Sequence, residues 1–479
     1  MRKLLIAGCC LAALMSLQPL MAQQTITKEK INLTHGSHRE GKRTDPVMEK
    51  WRGYGLGQFI HWGLYAIPGG EWNGKQYNGA AEWIRSWNGI PNSTYDSLIY
   101  KFNPTAFNAT AWAKSAKQMG AKYVTFTTKH HDGFCMWPSK FSKYTVASSP
   151  YKKDIVKAVV DAYDKEGIDV ILYFSVMDWS HPDWRYDLKT REDSVAFERF
   201  KKFTRNQLIE LLTNYPKAKG LWFDGTWDKS WVKQAAFADE LEKEMRKLHP
   251  GLIIGSRFRA DENGKRHFDS NGVLMGDYEQ GWERKIPNKI EDVHGNDWDC
   301  VMTVPENQWG YNKAWNGHIK SATELLEMTA KCVSLGGNFV LNFGPQGDGA
   351  IRKEELVLAT QIGDWMKVNQ EAIYNCGYAA YDKQDWGYFT KKTGSDKIYM
   401  VVFNLPVSGA LRVKTPAKTT ISKAYLLADA KETFLPEEIS GDEYFLHLKK
   451  RDHQKPFVIV LETIKKQENS GTKYEKAKI

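Results

Sequence analysis

The stretch YVTFTTKHHDGF, residues 123–134, decides the fold of this chain. It begins with β-forming residues and ends in two histidines, an aspartate and a glycine. A strand that ends in polar side chains holds them still, and imidazole nitrogens can hydrogen-bond to hydroxyls or carboxylates. Because other apolar segments of the chain end in the same way, the stretch indicates a (β/α)8 barrel, in which strand ends build the active site.

Eight segments of the chain have the pattern of strands, and helical patterns lie between several of them. The predicted strands are 56–61, 123–129, 170–175, 221–224, 252–257, 273–278, 300–304 and 338–343. The predicted helices are 108–119, 154–165, 194–212, 229–248, 322–334 and 353–372. Short buried strands that alternate with helices predict an α/β fold, a closed parallel TIM-like (β/α)8 barrel. The long irregular segment 68–103 is expected to be a functional loop over one face.

The two ends of the chain differ from its middle. Residues 1–22 have the pattern of a secretory signal peptide, with an apolar run too short to span a bilayer. We therefore expect export across the inner membrane to the periplasm; a lipoprotein box at 5–9 lies too early to favour a lipid anchor. Residues 23–380 are expected to form the barrel, and 381–464 a small C-terminal antiparallel β-sandwich. Residues 465–479 form a polar, lysine-rich tail, expected to be solvated.

Composition excludes several classes of protein. The 479 residues carry a formal charge of +10, but Lys and Arg alternate with Asp and Glu, and no nucleic-acid recognition module is present. No further segment is apolar enough to cross a membrane. Of six cysteines, the four beyond the signal peptide lack the spacing of a zinc site or a disulfide framework. The 18 Trp residues suit sugar binding, although core packing accounts for most of them.

Asp224 is the strongest catalytic candidate. It ends an apolar strand in GLWFDG, 220–225, with Trp222 on the same strand face. A helix cap or a rim salt bridge is the alternative role for this aspartate. A glycoside hydrolase needs a second carboxyl across the scissile bond, and Glu279 and Glu283 follow predicted strand six.

Three histidines and two further side chains could bind a ligand. His61 closes strand one, and His130 and His131 follow strand two, so they could donate to sugar hydroxyls. A metal site is the weaker alternative, because adjacent histidines on a strand point to opposite faces. We therefore predict neither a metal nor another cofactor. Arg257 ends predicted strand five, and Trp309 follows strand seven as a possible stacking wall.

Together these segments resemble the α-L-fucosidases of glycoside hydrolase family 29. The segments that carry the resemblance occur in the family's order and are FIHWG 59–63, KHHDGF 129–134, LWFDG 221–225, QWGY 308–311, GGN 336–338 and GP 344–345. The resemblance implies a barrel with a C-terminal β domain, and a retaining exo-hydrolase that acts on fucosylated oligosaccharides or glycoconjugates. Where many members carry a glutamate before the Trp-Gly-Tyr motif, this chain has Asp299.

The resemblance also implies roles for single residues. Asp224 would be the nucleophile, and Glu283, with Glu279 as the alternative, the acid/base roughly 5 to 5.5 Å away. The sugar would be bound by His61, His130, His131, Tyr173 and Trp222. Glu82 resembles a family carboxylate that contacts the sugar, although Glu71 competes for this role, and Arg257 resembles an arginine near the acid/base. Two other functions stay open: a glycan-binding protein without catalysis, and a barrel hydrolase for a related sugar such as L-galactose.

Overall fold

The computed structural model describes residues 42–77, 79–448 and 456–465. The expected signal peptide and almost all of the expected lysine-rich tail lie outside the described residues. Lys465, assigned to that tail, ends the last strand instead. No helix within the described ranges is long and apolar enough to cross a membrane.

Eight parallel strands form the central sheet, which confirms the predicted (β/α)8 architecture. The strands are β1 Leu56–Ile60, β2 Tyr123–Lys129, β3 Asp169–Ser175, β4 Gly220–Asp224, β5 Ile253–Ile254, β6 Glu279–Glu283, β7 Trp298–Thr303 and β8 Asn338–Phe343. Their order in the sheet is β5-β4-β3-β2-β1-β8-β7-β6. The carboxyl ends of all eight strands therefore meet on one face of the barrel.

Two of the predicted strands are wrong in their bounds. Predicted strand five, 252–257, is reduced to the two residues of β5, so Arg257 lies three residues beyond its end. Predicted strand six, 273–278, precedes β6, which is Glu279–Glu283. Both errors arise at the junction between β5 and β6, the first and last strands of the sheet order. We call this junction the seam, and it is irregular because the two strands do not pair as a regular ladder. Two backbone hydrogen bonds cross the seam, from Asp277 N to Ile254 O at 2.8 Å and from Ser256 N to Tyr278 O at 3.1 Å.

Helices surround the barrel in the order that the sequence predicts. They are α1 Pro46–Arg52, α2 Ile84–Trp87, α3 Asn92–Asp96, α4 Ala109–Met119, α5 Ile155–Lys165, α6 Arg191–Asn214, α7 Lys229–Val232, α8 Ala235–Leu248, α9 Ala322–Ser334 and α10 Lys353–Asn369. The predicted helix 229–248 is thus two helices, α7 and α8. Helix α4 begins where the Asn108 side chain accepts a hydrogen bond from Ala111 N, and it ends at Gly120, whose φ is +97°.

The segment 68–103 lies between β1 and α4. It contains a short hairpin (Glu71–Trp72 with Lys75–Gln76), the helices α2 and α3, and two 3-10 turns, Ala81–Trp83 and Ser97–Lys101. Further 3-10 turns elsewhere are Leu64–Ala66, Val146–Ser148, Ile290–Val293 and Gln370–Ala372. The segment is therefore structured, and it brings several tryptophans to the carboxyl face of the barrel.

The C-terminal part consists of two antiparallel sheets. Their strands are β9 Cys376–Gly377, β10 Gly387–Lys392, β11 Ile398–Val402, β12 Ala410–Lys414, β13 Thr419–Leu426, β14 Asp429–Phe434, β15 Pro436–Ser440, β16 Glu443–His447 and β17 Phe457–Lys465. One sheet has the order β9-β10-β11-β17-β13-β14 and the other β12-β16-β15. Leu411 and Leu446 of the small sheet share a buried cluster with Met400 and Ile459 of the large sheet, as in a sandwich. The domain boundary at 380 stays a prediction.

Candidate active site

A cavity of about 300 Å³ opens at the carboxyl ends of the barrel strands. Nine of the ten predicted site residues line it: His61, Glu82, His130, His131, Trp222, Asp224, Arg257, Glu283 and Trp309. They come from the ends of β1, β2, β4 and β6 and from the loops after β1, β5 and β7. Each strand contributes one or two side chains, and the closed order of the strands brings them together.

Arg257 joins the two predicted catalytic carboxyls. Its Nη1 donates to Asp224 Oδ1 at 3.2 Å, and its Nη2 donates to Glu283 Oε2 at 2.6 Å. Arg257 Nε donates to the Gln280 carbonyl at 2.8 Å, and the guanidinium lies 4.8 Å from the centre of the Trp222 ring. Both carboxylates end their strands, β4 and β6, and both are held by one cation whose side chain is 11% exposed.

Burial and the Arg257 charge act on the two carboxyls in opposite directions. Burial raises the pKa of Asp224, and this effect exceeds the lowering by Arg257, so the net shift is upward. Burial also raises the pKa of Glu283, but there the Arg257 charge and hydrogen bond prevail, and the net shift is downward. Relative to their ordinary pKa values, therefore, Glu283 ionises more readily and Asp224 less readily.

Two histidines have fixed tautomers. Ser175 Oγ donates to Met177 O at 2.7 Å, so it accepts from His131 Nδ1 at 2.6 Å. Asn342 Nδ2 donates to Trp309 O at 2.8 Å, which leaves its Oδ1 to accept from His61 Nδ1 at 2.7 Å. Burial lowers the pKa of His61 to about 4 and that of His131 to about 3, so both are neutral near pH 7. Each ring therefore keeps an unprotonated Nε2 that can accept a hydrogen bond.

Three buried polar atoms of the cavity-lining residues have no hydrogen-bond partner among the described residues: His130 Nδ1, Glu82 Oε1 and Trp222 Nε1. The other Glu82 oxygen, Oε2, accepts from Gly310 N at 2.9 Å, and burial raises the pKa of Glu82 to about 7. Burial also lowers the pKa of His130 well below its ordinary value. Since buried polar groups are usually paired, a polar ligand in the cavity would supply the missing partners.

Tyr173 is the predicted site residue that does not line the cavity. It lies behind Asp224, and its hydroxyl donates to Asp224 Oδ2 at 2.9 Å. Its ring stacks on Trp222 at 5.3 Å and on His130 at 5.7 Å. The structure thus puts Tyr173 against the carboxylate and not against the space that a sugar would fill.

Other predicted candidates lie away from the cavity. Glu279 begins the strand that Glu283 ends, and it does not line the cavity. Glu71, the competitor of Glu82, lies in the short hairpin and forms an ion pair with Lys313 at 3.0 Å. Asp299 is buried on β7, outside the lining residues. In the part of the chain that the structure describes, no group of three or more His, Cys, Asp or Glu side chains could hold a metal.

Several other side chains line the cavity that were not predicted from the sequence, among them Trp83, Trp87, Trp227 and Arg284. Trp83 and Trp227 pack edge-on against the His131 ring at 5.1 and 5.5 Å. Trp227 and Arg284 directly follow the segments that carry the two carboxylates, and this proximity in sequence was the available signal.

Comparison with known proteins agrees with this geometry. A family model described as Alpha-L-fucosidase matches residues 21–371. The tissue alpha-L-fucosidase of Mus musculus is 29% identical over 385 residues, which are 78% of this chain and 81% of that protein. A crystal structure of an alpha-L-fucosidase GH29 from Bacteroides thetaiotaomicron is 53% identical with a TM-score of 0.88, covering 90% of this chain and 98% of that chain.

A second crystal structure of the Bacteroides thetaiotaomicron enzyme is similar to the same extent. It is 53% identical with a TM-score of 0.88, and covers 90% of this chain and 99% of that chain. It is described as a trapped covalent intermediate in complex with 2-fluoro-fucosyl fluoride, obtained with a glutamate-to-glutamine mutant.

Proposed function

Since the chain belongs to the α-L-fucosidase family and is a glycoside hydrolase of this class, we propose that it removes terminal α-L-fucose from glycans with retention of configuration. The reaction would pass through a covalent fucosyl intermediate on Asp224. Glu283 would act first as acid and then as base.

The bridge that Arg257 forms between Asp224 and Glu283 carries this proposal. Two carboxyls that bind neighbouring nitrogens of one guanidinium lie within a few ångströms of each other. That closeness supports the spacing of retaining enzymes, roughly 5 to 5.5 Å, over the wider spacing of inverting enzymes. Such a spacing leaves no place for a water molecule to attack from the far side, so it favours direct attack by one carboxyl on the sugar.

The two carboxyls need different charges for the first step. Asp224 must be ionised, and the Arg257 Nη1 and Tyr173 hydroxyl contacts at 3.2 and 2.9 Å stabilise its negative charge. Glu283 must carry a proton when the substrate binds. Substrate binding excludes water from Glu283, which favours the protonated form and opposes the ion pair with Arg257. Glu283 then donates its proton to the leaving oxygen as Asp224 attacks the anomeric carbon.

The neutral histidines and Glu82 support recognition of sugar hydroxyls. His61 Nε2 and His131 Nε2 can each accept a hydrogen bond from a hydroxyl, and Glu82 Oε1 offers a third acceptor. A sugar without a hydroxyl at one of these positions would leave a buried polar atom unpaired, which costs roughly 1 to 3 kcal/mol. The small cavity, of about 300 Å³, supports the binding of one terminal sugar and hence exo action.

We further propose that residues 1–22 direct the protein to the periplasm. The expected signal peptide is the support for this proposal. Cell fractionation of a strain that expresses the full chain, with N-terminal sequencing of the mature protein, tests it. Activity confined to the cytoplasmic fraction would contradict it, and an N-terminus at a lipidated Cys9 would support the anchored form instead.

The first test is hydrolysis of p-nitrophenyl α-L-fucoside by the wild type and by Asp224→Asn. We expect activity in the wild type and a loss of about three orders of magnitude or more in the variant, because the nucleophile is removed. Asp161→Asn, at a half-exposed position on α5, is the matched control and should retain activity. ¹H NMR of the first product should show the α-anomer of fucose, whereas initial release of the β-anomer would exclude retention.

The acid/base role needs a separate measurement. Glu283→Ala should hydrolyse a fucoside with a good leaving group slowly, and azide should accelerate it and yield fucosyl azide. Unchanged activity of this variant would eliminate Glu283, and rescue in Glu279→Ala would assign the role to Glu279. A wild type that binds fucosylated trisaccharides without cleaving them would support the binding-protein alternative. Faster hydrolysis of the α-L-galactoside would support the other alternative.

A further inference from the structure

A rim of three tryptophans borders the mouth of the cavity. The Trp83 ring stacks on Trp87 at 5.5 Å with an interplanar angle of 24°, and on Trp227 at 6.3 Å with an angle of 21°. All three line the cavity. Trp87 is 56% exposed and Trp227 37%, although large apolar side chains normally lie inside.

Trp87 is more than half exposed although its ring is packed against Trp83 and Gly79. One face of its indole lies on Trp83, so more than half of its surface faces solvent at the mouth. Gly79 packs against the six-membered ring so closely that a Cβ at this position would lie 2.5 Å from it. The indole is therefore held in place without being covered, which is the arrangement of a preformed stacking surface.

The opposite side of the mouth carries a cation. Trp83 and Trp227 pack on His131, which follows β2, whereas Arg284 follows Glu283 at the end of β6. In an eight-stranded barrel with this order, β2 and β6 stand opposite each other. Arg284 lines the cavity, is 45% exposed, and lies 3.5 Å from Glu283 Oε1 and 3.3 Å from Asn307 Oδ1.

The leaving group must occupy the mouth of the cavity, between Arg284 on one side and the tryptophan rim on the other. In the proposed reaction Glu283 gives its proton to the leaving oxygen, so the group attached to that oxygen must pass beside Glu283 and Arg284. A pyranose ring has one face composed mostly of C–H bonds, and such a face stacks on indole. Its hydroxyl edge can meanwhile accept from the unpaired N–H groups of a guanidinium.

We infer that Trp87 and Arg284 form a binding subsite for the first sugar of the leaving group, with Trp87 as the stacking surface and Arg284 as the polar contact. This inference rests on the proposed function and adds to it the chemistry of the leaving group. The subsite selects fucosides whose leaving group is a pyranose with an exposed C–H face, and it adds nothing to the binding of fucose itself.

Three fucosides with different leaving groups test the inference. α-L-Fucosyl fluoride has no ring to stack, p-nitrophenyl α-L-fucoside has a flat ring, and a fucosylated disaccharide has a pyranose. Trp87→Ala should lower kcat/KM roughly ten-fold for the disaccharide and the aryl fucoside, mainly through KM, and leave the fluoride within two-fold. Trp87→Phe should restore most of the loss. Tyr100→Ala is the matched control, because Tyr100 is 74% exposed and does not line the cavity.

Each outcome decides between the subsite and a structural role. An equal loss on all three fucosides would mean that Trp87 only supports His131 through Trp83, which contradicts the inference. No loss on any fucoside would contradict it as well. A wild type that is inactive on all three fucosides would overturn the proposed function, and the inference with it. Circular dichroism and the Tm of each variant establish that it is folded.

Discussion

Arg257 is the residue on which the charges of the site depend. Its side chain is largely enclosed and contacts Asp224 and Glu283 at 3.2 and 2.6 Å, and its charge lowers the pKa of both carboxyls against the effect of burial. A retaining enzyme needs an ionised nucleophile and a protonated acid at the same pH. The pKa values of Asp224 and Glu283 together therefore set the two limits of the working pH range.

Removing the Arg257 charge should shift both limits of the working pH range to higher pH. In Arg257→Met burial acts on both carboxyls without the opposing cation, so both pKa values rise. The acid and basic limbs of the kcat/KM profile against pH should each shift to higher pH, and the maximum should fall at least about ten-fold because the variant loses two charge-assisted contacts. Arg205→Met, which removes an exposed ion pair with Glu244, should leave the profile unchanged. Limbs that stay in place would show that Arg257 does not set these pKa values.

At the scale of the element, strand β4 can present Asp224 only because of the turn that follows. Gly225 has φ +64°, and a Cβ there would lie 2.5 Å from Met177 Cβ and 2.8 Å from Met177 N. A side chain at this position is therefore strained and also displaces the neighbouring backbone, and the displacement reaches the adjacent carboxylate.

Gly225→Ala should lower both stability and activity, and a matched glycine separates the two causes. Gly336 has φ +77°, and a Cβ added there would have no heavy atom within 4 Å. Gly336→Ala should therefore lower stability only through left-handed backbone strain, by roughly 1 to 2 kcal/mol, and should keep full activity. Gly225→Ala should lower Tm further and reduce kcat by one to two orders of magnitude, since misplacing a reacting group by about 1 Å has that effect. Equal Tm and kcat for the two variants would contradict the packing argument.

Strands with continuous apolar or β-branched residues could be predicted from the sequence to the residue. Segments 123–129 and 338–343 coincide with β2 and β8. Strand six could not, because the apolar segment 273–278 looks like a strand while β6, EQGWE, does not. Pairing with β7 makes β6 a strand, and the register of that pairing shifts between Glu279 and Trp282. Tertiary hydrogen bonding therefore overrides local propensity at this position.

At the scale of the whole molecule, the sequence predicted the part of the site that comes from strand ends. His61, His130, Asp224 and Glu283 all end or follow a strand, and the barrel brings such positions together. The tryptophan rim could not be predicted in the same way. Trp87 reaches the mouth through the path of a long loop between β1 and α4, and no periodic pattern fixes such a path.

One buried group of the barrel interior makes the stability of the whole protein depend on pH. Asp299 lies on β7 with 2% exposure, and burial raises its pKa to about 8, more than the charge of Arg257 lowers it. In the unfolded chain an aspartate titrates near pH ~3.9. Between about pH 4 and 8, then, the folded protein holds one proton more than the unfolded chain at this residue.

The free energy of unfolding that Asp299 contributes should therefore fall as pH rises from about 4 to about 8, by up to roughly 1.4 kcal/mol per pH unit, and stay constant above. Asp299→Asn keeps the shape of the protonated acid and removes this dependence. We expect the Tm of the variant, relative to wild type, to increase steadily from pH 5 to pH 8 in calorimetry. His61 and His131, whose lowered pKa values reduce stability as pH falls below about 6.5, are present in both proteins and cancel in the difference. Asp161→Asn at the half-exposed control position should give a Tm difference from wild type that does not change with pH. If the Tm difference of Asp299→Asn were also constant from pH 5 to pH 8, Asp299 would be ionised inside the folded barrel.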